Sequence, residues 1–156
     1  MNEIKLFPVW KHAVQQLIES GLTYGSDITR LQIAEMCELE QPTTIEEKER
    51  YDFKLIGIIY NIKASLLEIN KMLLVSNNRG GYRVIMPQDQ TAYTVDNLTS
   101  NLSKEFQRAS DGIRHVNIEL LDGTQRKQNA DAQAKLSMLF GMQRIAVSEL
   151  TQIARG

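Results

Sequence analysis

The chain has 156 residues, is 42% hydrophobic and 24% charged, and carries a formal net charge of −1. That balance suits one compact globular domain or two small ones, and excludes a global field drawing the whole molecule to nucleic acid or membrane. The lone Cys37 excludes an internal disulfide and favours a reducing compartment. With no run near ~18 apolar residues and no signal-peptide core in MNEIKLFPVWKH, the expectation is a cytoplasmic protein without a membrane partner.

Charge is unevenly spread. Residues 1–49 carry four basic and nine acidic side chains, a net of −5, whereas residues 50–86 carry six basic and two acidic, a net of +4. Such asymmetry says more about a binding face than the total does.

A first helix is expected from Pro8, which suits a first-turn position, with Val9, Ala13, Leu17 and Ile18 on one side and an end near Ser20-Gly21. Phe7 and Trp10 read as core or dimer contacts. TYGSD (23–27) is a turn-rich link. ITRLQIAEMCEL (28–39) reads as a second helix with Ile33, Ala34 and Met36 inward, ended by Gln41-Pro42. Cys37 among these residues reads as a small buried hydrophobe.

A long third helix follows in TTIEEKERYDFKLIGIIYNIKASLLEIN. Thr43 or Thr44 with Glu46 and Glu47 gives a capped, acidic start. Glu47, Arg50, Lys54, Gly57, Asn61, Ser65 and Glu68 share a polar stripe. Leu55, Ile58, Ile59, Ile62, Leu66 and Ile69 form one apolar cluster, and Phe53, Ile56, Tyr60 and Leu67 a second arc. A helix this apolar is expected at the centre of a domain, with one side left for water or a partner. Asn70 is a plausible left-handed cap.

Met72–Val75 and Tyr82–Ile85 then read as two strands around the turn Asn77-Asn78-Arg79-Gly80-Gly81. A phosphate loop is excluded on chemistry. It needs a helix whose amides face the phosphates, usually with Lys and Ser or Thr, and here Tyr82-Arg83-Val84-Ile85 follows the glycines. Pro87 closes the unit and residues 88–95 read as a linker. From Asp96, Leu98, Leu102, Phe106, Ala109, Ile113, Val116 and Leu120 keep helical spacing. Asp122-Gly123 breaks it, and a last helix from Thr124 carries Ala132, Leu136, Leu139, Met142, Ile145, Ala146, Leu150 and Ile153. Gly112 and Gly141 weaken these helices by ~1 kcal/mol each relative to Ala.

ITRLQIAEMCEL, KERYDFKLIGIIYNIKASLLEIN and KMLLVSNNRGGYRVI together resemble a winged helix-turn-helix domain over residues 8–86: second helix, recognition helix and wing. The resemblance implies a mainly α fold with a small β-hairpin, organised as a winged helix-turn-helix domain (1–87), a linker (88–95) and a C-terminal helical hairpin for oligomerisation (96–156). It implies a double-stranded DNA partner for Arg50, Lys54, Asn61 and Ser65 on the helix and Asn77, Asn78, Arg79 and Arg83 on the wing. It also implies a homodimer, with Leu98, Leu102, Phe106, Ile113, Leu139, Met142 and Leu150 as dimerisation residues. Compact regulators of transcription or replication in phages and mobile elements are similar in build.

The third helical segment is longer than a recognition helix, and Glu46, Glu47 and Glu49 near its start would repel phosphates. Winged helices also grip proteins, and the acidic first 49 residues favour that alternative. No enzymatic chemistry, cofactor or metal is expected. His12 and His115 lie far apart, and Ser110-Asp111 beside His115 lacks an oxyanion hole or nucleophile elbow. Without a secretion signal, the sequons at Asn97 and Asn101 read as chance.

Overall fold

The computed structural model describes residues 8–156, so Phe7 lies outside the described residues. The chain is mainly helical, with one small antiparallel sheet, and forms two compact units, one ending at Gln90 and the other Thr91–Gly156.

In the first unit, helix α1 (Val9–Glu19) follows Pro8 and stops at Ser20 and Gly21, where φ is +89°. Strand β1 (Asp27–Thr29) comes next, then helix α2 (Arg30–Met36). The strand was not expected: a helix was expected to begin at Ile28. Thr29 sets the boundary. Its hydroxyl accepts from the Gln32 amide at 3.1 Å, and the Gln32 side chain accepts from the Thr29 amide at 2.8 Å. This reciprocal cap satisfies two donors that a helix start leaves free, and holds Thr29 extended.

Helix α3 (Ile45–Asn70) is a single 26-residue helix, so the acidic segment is its own N-terminal extension. Thr44 and Glu47 cap it as Thr29 and Gln32 cap α2. Its end corrects the sequence reading by one residue: Asn70 is still helical, and Lys71 takes the left-handed position at φ 59°. Strands β2 (Leu74–Ser76) and β3 (Gly81–Val84) follow.

The sheet order is β1-β3-β2, all antiparallel, with Ile28 opposite Tyr82 and Leu74 opposite Val84. Alternation sends Ile28, Leu74 and Val84 inward. They meet Ala13 and Leu17 of α1, Ile33 and Ala34 of α2, Cys37, and Leu55, Ile58, Ile59, Ile62 and Leu66 of α3. Trp10 is half-buried against this core. Full burial of a side chain such as Ile62 or Leu66 contributes about 1.5–3 kcal/mol, and both are fully buried.

Only one side of α3 meets this core. One side of α3 was expected to stay open, and it does, but that side includes the second apolar arc, Phe53, Ile56, Tyr60 and Leu67. The physical reason lies in the layering: α1 and β2 pack on α3, and the core they share contains none of the four.

Residues 88–95, expected as a linker, are helical within α4 (Pro87–Arg114). Pro87 occupies the start of that helix, where its missing amide hydrogen costs nothing. The helix ends at Arg114, short of the expected reach to Leu120, and Ile118–Leu120 forms a 3-10 turn. Asp122 then caps α5 (Gly123–Arg155), accepting from the Gln125 amide at 2.8 Å.

Within the second unit α4 and α5 run antiparallel. The Asn129 amide side chain donates to the Ile113 carbonyl at 3.3 Å near one end, and Arg155 pairs with Asp96 at 3.0 Å near the other. Phe106 and Phe140 meet between them at 5.3 Å between ring centroids. No described helix is long and apolar enough to cross a membrane.

Candidate macromolecular interface

The hairpin tip is built by Asn77. Its side-chain oxygen accepts from the amides of Arg79 at 3.0 Å and Gly81 at 2.9 Å, while its own amide donates to the Gly81 carbonyl at 2.9 Å. Gly80 turns the chain at φ +75°, a conformation Gly adopts without steric cost. Gly81 is needed for a different reason: an added Cβ would sit 2.5 Å from the Ile28 carbonyl oxygen, so β1 closes on β3 only because that atom is absent. Asn77 is thus a structural turn residue, whereas Asn78 and Arg79 project from the tip as exposed side chains.

Arg83 is engaged. Its Nε donates to Asp27 Oδ1 at 2.8 Å and its terminal nitrogen to Oδ2 at 2.7 Å, a two-point ion pair across β1 and β3. The Arg83 hydrogen bonds hold the Asp27 carboxyl below the usual carboxylate range, and Asp27 raises the Arg83 pKa in return. The expected use of Arg83 as a DNA contact is therefore opposed by an acidic partner on the next strand. Lys63 lies 4.6 Å from the Tyr82 ring centroid, and burial lowers its pKa.

On α3 the other expected DNA residues divide. Arg50 and Lys54 are exposed. Asn61 and Ser65 are half-buried, and the Asn61 side chain donates to the Gly57 carbonyl at 3.1 Å. At the helix start, Glu47 accepts from the Thr43 amide and hydroxyl and from the Thr44 amide, which lowers its pKa. A fixed carboxylate there neutralises the helix N-terminus, where a phosphate would otherwise be drawn.

Between these groups the outward centre of α3 is apolar. Phe53 is 82% exposed, Ile56 59% and Tyr60 73%, with Leu67 at 40%. The spacing of three, four and seven residues aligns them on one face. The sequence pattern contains this arc, but nothing local shows which of two apolar arcs the domain buries.

The expected dimerisation residues also separate. Leu102, Phe106 and Ile113 are half-buried, and Phe106 and Ile113 have partners in α5. Leu98, Leu139, Met142 and Leu150 are exposed. Met138 and Ile145, 68% and 65% exposed, share a face with Met142; Met142 was an expected dimerisation residue, and the other two were not.

His12 and His115 are both exposed, and His115 Nδ1 lies 2.8 Å from the Asp111 backbone carbonyl. The Asp111 carboxylate accepts instead from Gln107. Among the described residues no group of three or more His, Cys, Asp or Glu side chains is placed to hold a metal ion. No family model, curated protein or solved structure matches the chain.

Proposed function

We propose that residues 8–86 form a winged helix-turn-helix module that acts as a non-enzymatic binding unit, and that its partner is a protein taken on the outward face of α3. The winged-helix reading is supported by the order of three helices followed by a strand–turn–strand hairpin, and by the short strand β1 that extends the hairpin to three strands. The protein reading is carried by one observation: Phe53, Ile56, Tyr60 and Leu67 form an exposed apolar line along α3. Contiguous exposed apolar side chains mark interaction surfaces, and aromatic residues dominate the energy of such contacts. A long helix presenting anchors at these spacings suits an apolar groove on another protein. Arg50 and Lys54 favour an acidic rim on that groove.

A second reading, double-stranded DNA, is favoured by exposed Arg79 at the hairpin tip together with Arg50 and Lys54, within a segment of net charge +4. In this reading the protein regulates transcription or replication, and the tip contacts backbone or minor groove.

Two measurements separate the readings. The first is fluorescence anisotropy of a labelled random-sequence duplex, at low salt and through a salt titration. The second is capture of partners by a photo-crosslinker placed on α3, compared for the wild type, Phe53→Ser/Tyr60→Ser and Arg79→Glu. The protein reading expects no DNA binding at low salt, and a crosslinked protein lost with Phe53→Ser/Tyr60→Ser but kept with Arg79→Glu. Micromolar or tighter DNA binding that falls steeply with salt and is lost with Arg79→Glu overturns it in favour of DNA.

A further inference from the structure

Helix α5 is apolar on two sides. One side turns toward α4 and includes Leu136 and Val147, both half-buried, and Phe140, whose ring meets Phe106. The opposite side carries Met138, Met142 and Ile145, each about two-thirds exposed. An apolar face left in water is stabilised when a partner covers it.

The charges around the exposed face indicate what covers it. Lys135, Met142 and Glu149 are spaced by seven residues, so they lie nearly in line along the helix, about 10 Å apart. The Lys and the Glu are thus equidistant from Met142 and opposite in sign, and both are exposed. A parallel pairing of two such helices in register would set Lys135 against Lys135 and Glu149 against Glu149. An antiparallel pairing about a two-fold axis at Met142 instead sets each Lys135 against the other copy's Glu149, twice. It also places Met138 opposite Ala146 and Leu139 opposite Ile145. This is the self-complementarity that an isologous contact requires.

We infer that this face of α5 is the homodimer interface, with two copies packing α5 antiparallel about Met142 and the two hairpins forming a four-helix assembly. Lys135 and Glu149 set the orientation, and Met138, Met142 and Ile145 supply the apolar contact. The surface is separate from the face of α3 discussed above and does not depend on which partner α3 takes.

The test is the concentration dependence of mass by sedimentation equilibrium for the full chain and its charge variants, with helical content checked by circular dichroism. Lys135→Glu and Glu149→Lys, each alone, place like charges together at both contacts and are expected to raise the dimer dissociation constant about tenfold or more. Lys135→Glu/Glu149→Lys restores both pairs with signs exchanged and is expected to return the constant to within a fewfold of wild type. Met142→Cys lies on the axis and is expected to crosslink to itself with a short bis-maleimide; Gln128→Cys, far from the axis, is not. A monomer at all concentrations overturns the inference. So does a dimer that the double variant fails to restore, or one in which Met142→Cys does not crosslink.

Discussion

Asp27 and Arg83, 56 residues apart in the chain, face each other across β1 and β3 and share two hydrogen bonds of 2.8 and 2.7 Å. One pair thus ties the strand before α2 to the return strand of the hairpin, and offsets a positive charge that the sequence suggests is available for a ligand.

The first prediction concerns this pair. The Asp27 pKa lies below its ordinary 3.8, mainly through the Arg83 hydrogen bonds. Its stabilising effect is therefore complete above the ordinary carboxylate pKa and is lost as pH falls through the lowered folded value. A carboxyl NMR titration should give an Asp27 midpoint below 3.8 in the wild type, and one shifted upward in Arg83→Gln. An unchanged midpoint in the variant would show that the pair does not persist in solution. If DNA is the ligand, Asp27→Asn should strengthen binding by releasing Arg83.

Gly81 makes a sharper demand. A methyl group there meets the Ile28 backbone oxygen at 2.5 Å, and a carbonyl within a strand cannot move aside cheaply. Gly81→Ala is expected to destabilise the first unit by about 1–3 kcal/mol, the usual range for overpacking, as read by urea denaturation. Gly57→Ala, where nothing lies within 4 Å of the added atom, should leave stability unchanged or raise it by up to ~1 kcal/mol through helix propensity.

The two apolar sides of α3 should behave oppositely. Ile62→Ala and Leu66→Ala remove fully buried side chains and are each expected to cost about 2–5 kcal/mol. Phe53→Ser and Tyr60→Ser remove exposed ones and should change stability by less than ~0.5 kcal/mol while removing partner binding. Large losses of stability in the latter pair would mean that this face is covered within the chain itself.

Cys37 is 4% exposed, and burial pushes its thiol pKa above the ordinary value. Since the thiolate is the reactive form, a thiol reagent at neutral pH should label the native chain orders of magnitude more slowly than the urea-unfolded chain. Comparable rates would place Cys37 outside the core.

The sequence alone determined what local physics controls. Apolar spacing located the long helices, Thr43 or Thr44 with Glu46 and Glu47 marked the start of α3, and Asn77 to Gly81 marked a turn. Each signal acts over a few residues, through helical periodicity, a cap or a backbone conformation. Tertiary structure decided the rest. β1 is three residues long and exists by pairing with β3, which no local pattern encodes. The α4 start at Pro87 was hidden because the polar run to Asp96 reads equally as a linker. The charge of Arg83 was legible, but its partner Asp27 was not, because their contact depends on strand register. Two apolar arcs on α3 were likewise legible, yet only packing against α1 and β2 selected the one to bury and left Phe53, Ile56 and Tyr60 facing outward.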